Sequence, residues 1–181
     1  AVVVNCLFVE NAAWFGAGMD NRDTQSLSAT NCTFVSNTAD DSGGAMRNQN
    51  GDNLTVTNCI FRGDSPDEIA SVGTSPSIRY CNVQGGSGGD GNIDADPMFA
   101  NAAEGDLRLT SGSPSIDAGQ NTISAGATMD LDGGPRFADD PDTLNTGAGF
   151  GPIVDMGAYE RQPDCNNNGV PDDLDIASGT S

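Results

Sequence analysis

The sequence predicts an all-β stack of coils, and two observations carry the prediction. Four short runs recur: Asn5-Cys6-Leu7-Phe8, Asn31-Cys32-Thr33-Phe34, Asn58-Cys59-Ile60-Phe61 and the weaker Tyr80-Cys81-Asn82-Val83. Their cysteines are 26, 27 and 22 residues apart. A period in the twenties, with strand-forming residues at the repeated point, marks units that bury their apolar face only against neighbouring copies. The second observation is composition. With 36% apolar residues, 24 glycines and 9 prolines in 181 residues, the chain suits a thin core running along a stack better than one wide core.

Alignment on the Asn-Cys pairs brings further positions into phase. Gly16-Ala17-Gly18-Met19 matches Gly43-Gly44-Ala45-Met46, and Asn11-Ala12-Ala13 matches Asn37-Thr38-Ala39. Leu27 and Ala29 match Leu54 and Val56, with Ile78 in the next copy. One coil reads as a short strand at Leu54 and Val56, a bend at Asn58 and a second strand at Cys59 and Phe61. A third strand lies near Gly43 to Met46. Alternation places Leu54, Val56, Cys59 and Phe61 on the inside. Asn tolerates the left-handed geometry of a sharp bend, and its amide both donates and accepts. Asn5, Asn31 and Asn58 are therefore expected to form a ladder along the stack. Cys6, Cys32, Cys59 and Cys81 share one phase and read as a column of small buried thiols, since no metal-ligand spacing or histidine accompanies them. Rungs ~4.8 Å apart leave a disulfide geometrically open.

Three strands per coil, about 22–27 residues per rung and Asn bends resemble a right-handed parallel β-helix of the pectate-lyase-like class. The handedness follows from that resemblance and from the general rule for parallel crossovers. The rungs cover residues 1–89. The few rungs, and a start in mid-strand without Met, lead to the expectation of a processed product or the C-terminal piece of something longer.

From Gly85 the repeat breaks down, and residues 90–162 read as a cap of short strands and long Gly/Asp/Pro loops over the unpaired end of the stack. Gly112-Ser113-Pro114-Ser115-Ile116-Asp117-Ala118-Gly119, Asp130-Leu131-Asp132-Gly133-Gly134-Pro135-Arg136 and Val154-Asp155-Met156-Gly157-Ala158-Tyr159-Glu160 occur here in that order. This order resembles the C-terminal region of bacterial surface β-helix proteins of the choice-of-anchor Q type. The resemblance implies an exported, cell-surface protein.

Residues 163–181 contain the sharpest chemical motif. Asp164, Asn166 and Asn168 stand at positions 1, 3 and 5 of a 12-residue calcium loop, with Gly169 at the turn. Val170 stands at position 7 with its carbonyl, Asp172 at position 9 and Asp175 at position 12. Position 12 carries Asp where the standard EF-hand has a bidentate Glu, and this EF-hand-like loop resembles dockerin-type loops and short calcium repeats of exported bacterial chains; Ca2+ is the implied cofactor. A dockerin carries two such loops and this chain has one, which counts against a docking role. Asp130, Asp132, Asp139, Asp140 and Asp142, like Asp90, Asp94 and Asp96, lack complete ligand spacing and read as turn formers and solvated charge.

The net charge is −19, with seven arginines and no lysine or histidine. Such a field repels phosphate and excludes nucleic acid as a partner. No run is long and apolar enough to span a membrane. A lyase needs a base beside the sugar proton, and a hydrolase needs two carboxylates at a set separation on one face. Neither constellation is legible. Arg22 and Arg47 sit at matching phases but read as solvated. Asp20, Asp23, Asp40 and Asp41 pair by abundance. Trp14 and Phe15 read as packing at a stack edge or, alternatively, as a sugar platform. The expectation is a non-catalytic extracellular β-helix with a structural, adhesive or carbohydrate-interaction role. A polysaccharide or cell-surface component is its partner. The alternatives are the C-terminal part of a secreted polysaccharide lyase or glycoside hydrolase whose active rungs lie upstream, and a dockerin-like docking module.

Overall fold

A computed structural model describes residues 1–23, 26–51, 53–121 and 127–162. The first turn holds β1 (Val2–Val4), β2 (Leu7–Val9), β3 (Ala12–Phe15) and β4 (Met19–Arg22). The second repeats it with β5 (Leu27–Thr30), β6 (Thr33–Val35), β7 (Thr38–Ser42) and β8 (Met46–Gln49). The third holds β9 (Leu54–Thr57), β10 (Ile60–Arg62) and β11 (Ile69–Val72), and the fourth stops after β12 (Ser77–Arg79) and β13 (Asn82–Val83). Like strands pair in parallel from turn to turn: β1-β5-β9-β12, β2-β6-β10-β13 and β4-β8-β11. This is a parallel β-solenoid. A fourth, short ladder joins β3 to β7. The three-strand reading did not include it because Thr38-Ala39-Asp40-Asp41-Ser42 has no apolar alternation; only Ala39 within it is buried.

The register matches the sequence phases: Leu27 pairs with Leu54, Ala29 with Val56, Val56 with Ile78 and Met19 with Met46. Each turn bends at residues in the left-handed region, and these recur by position. Asn5, Asn31, Asn58 and Tyr80 have φ of 50°, 52°, 54° and 51°. Glu10, Ser36 and Gly63 mark the next corner, Gly16 and Gly43 the third, and Asp23, Asn50 and Gly73 the fourth. Asn accepts this geometry at little cost, and Gly does so freely. At the third corner glycine is also required by space. A Cβ on Gly43 would lie 2.6 Å from the Met46 carbonyl and 2.9 Å from Cβ of Arg47.

Inside, identical residues form columns. The rings of Phe8 and Phe34 lie 4.5 Å apart and nearly parallel, and Phe34 to Phe61 repeats this at 4.8 Å. Leu27 and Leu54, Ala29 and Val56, Ala45 and Met46 complete the interior with the thiols. Translation by one rung superposes like on like, so one well-packed rung makes its neighbours well packed.

Beyond the fourth turn, β14 (Phe99–Asn101) and β15 (Asp106–Leu109) form an antiparallel pair. Residues 113–121 and 127–160 then lie back along the flank of the stack. Met156 and Ser115 bond beside Asn82 of the fourth turn. Gln120 and Gly157 bond to Asn58 of the third, Ala158 to Thr33 of the second, and Met129 to Asn5 of the first. A second apolar cluster of Ile60, Leu109, Ile116, Ala118 and Met156 lies under this segment. Gly157 makes the closest approach: a Cβ there would sit 2.8 Å from Ile60 and 2.9 Å from Thr33.

Candidate functional site

On the outer face of the first two turns, the chain brings together five residues that the sequence scattered. Asp20 on β4 is in register with Arg47 on β8. Arg47 stacks on Phe15 with its guanidinium carbon 4.0 Å from the ring centroid, and Arg22 approaches the same ring at 5.5 Å. Asp20 Oδ2 accepts from Arg22 Nε at 2.6 Å, and Asp20 Oδ1 lies 3.9 Å from Arg47 Nη1. Trp14 sets its indole edge-on to Phe15 at 6.3 Å. Its side chain stands free of the stack, with the residue 64% exposed.

Two expectations change here. Arg47 is 6% exposed, so it is not a solvated surface arginine. Its Nε and Nη1 make no hydrogen bond. Phe15 and the stem packing hold it, an arrangement in which the ring quadrupole offsets part of the lost hydration. Trp14, on the first turn, meets Phe15 edge-on but leaves most of its surface to solvent, so it is not covered as edge packing alone would have it. A large exposed aromatic held edge-on by a neighbouring ring is a surface that can stack on a flat, hydroxyl-rich ligand; Arg22 and Arg47 gather over that neighbouring ring, Phe15, with Asp20 as their partner.

The predicted ladder residues sit at one corner. Asn58 Nδ2 donates to Asn31 Oδ1 at 3.1 Å and to the Gln120 carbonyl at 2.9 Å. Asn5 Nδ2 donates instead to the Met129 carbonyl at 2.6 Å. Two more columns were missed as ladders. Asn11 donates to Asn37 at 2.8 Å and Asn37 to Asp64 at 2.7 Å. Asn21 donates to Asn48 at 2.6 Å. Their separations of 26 and 27 residues were the available signal. Cys6, Cys32, Cys59 and Cys81 are free thiols. Each donates across the bend to the carbonyl two residues back, for example Cys32 to Thr30 at 3.2 Å and Cys81 to Arg79 at 3.2 Å. The bond to Cys59 and burial push the Cys32 thiol up, and burial does the same to Cys59. Thiols held protonated in an apolar column are structural rather than reactive.

The three C-terminal motifs meet in one buried polar set. Arg136, 1% exposed, donates to the carbonyls of Asp155 at 2.9 Å and Gly157 at 2.5 Å, and its Nε lies 3.5 Å from Glu160. Asp155 accepts from the backbone of Asp117 and Arg161, Glu160 from that of Asp155, and Asp130 from that of Gly134 and Glu160. Burial raises Asp155 to about 7, and burial together with Asp155 raises Glu160 to about 10. One retained proton then leaves two carboxyl groups and one guanidinium with no net charge. Asp130 and Asp140 are 8% and 2% exposed, which corrects their reading as solvated charge. They remain turn formers: Asp130 caps the turn at Gly134, and Asp140 caps Asp142. Asp132, Asp139 and Asp142 are exposed, and Asp132 is there a partner of Arg108.

The calcium-loop residues Asp164, Asn166, Asn168, Val170, Asp172 and Asp175 lie outside the described residues. Among the described residues, no three acidic or thiol side chains converge on an ion-sized point, and no helix is long and apolar enough to cross a membrane. Comparison with family models, curated proteins and solved structures gives no match.

Proposed function

We propose that this chain is a non-catalytic, extracellular β-helix module that contacts carbohydrate through the outer face of its first two turns and binds Ca2+ in its C-terminal loop. The carrying observation is the exposed Trp14 set edge-on to Phe15, over which Arg22 and the stacked Arg47 gather with Asp20. Stacking of a sugar ring on a fixed aromatic costs little side-chain entropy, and the exposed Arg22 on the same face offers hydrogen bonds to hydroxyls. The charge of −19 favours neutral over polyanionic chains. The order of the three C-terminal motifs, with its resemblance to choice-of-anchor Q surface proteins, supports export. The spacing of residues 164–175 supports the calcium loop.

Trp14 is the only tryptophan, so its emission reports directly on this face. Titration with a panel of neutral and acidic oligosaccharides is expected to give a saturable change in emission for a neutral ligand. Calorimetry on Trp14→Ala is expected to show at least tenfold weaker binding with an unchanged melting temperature. A silent emission across the panel ends the carbohydrate reading. Release of shortened or unsaturated products from the incubated oligosaccharides ends the non-catalytic one.

A further inference from the structure

The column of Asn11 and Asn37 ends on a carboxylate. Asp64 takes the third rung, and its Oδ1 accepts from both the backbone and the amide of Asn37 at 2.7 Å. Its Oδ2 has no hydrogen-bond partner and is shut from solvent, although the residue is only 8% exposed. Oε2 of Glu68 is in the same condition. The two carboxyl groups line one cleft, and Asp64 acts on Glu68 to raise its titration. No β4-type strand follows β11 in the fourth turn. The chain leaves through Gln84-Gly85-Gly86 instead, and a cleft of about 640 Å³ opens where that strand would lie. Asp64, Glu68, Ser71, Ile69 and Ile78 line it. Asp67 is the only other titratable side chain among the described residues lining it, and Asp67 already accepts from the Gly43 backbone at 2.5 Å.

Two buried carboxyl oxygens can face each other only with a positive species between them. A proton is one solution: burial, and then Asp64, raises Glu68 to about 9. A hard cation is the other, and the cleft gives it access and water.

We propose that Asp64 and Glu68, whose unpartnered carboxyl oxygens line the cleft, bind one divalent, oxygen-seeking cation, with Ca2+ as the probe. Ca2+ takes 6–8 oxygen ligands. The two carboxylates supply the protein charge, and water in the open cleft supplies most of the rest. Affinity is on the order of 10⁻⁴–10⁻³ M, as in extracellular modules of low ligand count. Binding releases about one proton, so affinity rises about tenfold per pH unit below the Glu68 titration.

The test is calorimetry on the full chain carrying Asp164→Ala, which silences the C-terminal loop, in buffers of different ionisation enthalpy at pH 7 and pH 8.5. One equivalent of Ca2+ with release of about one proton, and about 30-fold tighter binding at the higher pH, is the expected result. Glu68→Gln in the same background keeps a donor to Asp64, so its melting temperature holds while Ca2+ binding weakens at least tenfold and proton release disappears. Asp64→Asn serves as the second variant and is expected to abolish uptake. No uptake at millimolar Ca2+ and pH 8.5 in the Asp164→Ala chain overturns the proposal, as does Glu68→Gln binding with undiminished affinity and proton release. Loss of one equivalent on introducing Asp164→Ala reports on the C-terminal loop alone, so the two calcium readings stand or fall separately.

Discussion

The stacked turns and the C-terminal flank bury polar groups by opposite means. In the turns, the buried side-chain columns are amides: Asn58 on Asn31, Asn11 on Asn37, Asn21 on Asn48. In the flank they are charges: Arg136, Asp155, Glu160, Asp130 and Asp140. Repetition is the cause. A residue in a column meets its own copy about 4.8 Å away, so a charge would face a like charge at every rung. An amide offers a donor on one side and an acceptor on the other, and tolerates being copied. The carboxylate Asp64 occurs only where the column ends. The flank is not periodic, so Asp130, Asp140, Asp155 and Glu160 each have their own backbone donors and Arg136 its own carbonyls.

The largest effect that would break this comparison comes from the apolar column. Phe34 is fully buried between Phe8 and Phe61. Phe34→Ala is expected to cost about 3–5 kcal/mol in denaturant unfolding. The cost should be the same at pH 5 and pH 9. A pH-dependent loss would show that charge, and not packing, holds the turns.

Arg136→Ala is expected to cost a similar or slightly smaller amount at pH 9, about 3 kcal/mol, because it strands buried carboxylates. The cost should shrink at pH 5. Asp155 and Glu160 titrate in the folded chain at about 7 and about 10, above their ordinary values. Groups raised on folding contribute stability below their unfolded titration, and that contribution is lost as pH rises through the folded value. The unmodified chain should therefore melt progressively lower from about pH 5 to pH 10. Equal Arg136→Ala costs at both pH values would remove the charge balance assigned to this set.

Asn58→Ala has the smallest expected effect, about 1–3 kcal/mol, through the lost bonds to Asn31 and Gln120 and a left-handed φ that Ala resists. Asn58→Gly restores the bend but not the amide and should recover only part of the loss. Full recovery would mean that the corner needs conformation alone.

Much of the solenoid was legible because its contacts are copied at a constant separation. Met19 on Met46 and Leu27 on Leu54 follow from counting. The β3–β7 ladder was not, since its outward polar residues hide the alternation. Arg47 was misread as solvated because nothing in its neighbourhood of sequence shows that Phe15, from the preceding turn, closes over it.

By itself, then, the sequence determined the all-β class, the phase of each rung and the Asn, Gly and Cys positions of the corners. Each of these is a local preference multiplied by a period. Tertiary structure alone decided what lies against the stack. It laid residues 113–121 and 127–160 back along the turns and gathered Asp117, Arg136, Asp155 and Glu160 into one buried set. It exposed Trp14, and by ending the third side at β11 it left Asp64 and Glu68 facing an open cleft. Those contacts join segments of unlike sequence at unrelated separations, and no periodicity encodes a contact that occurs once.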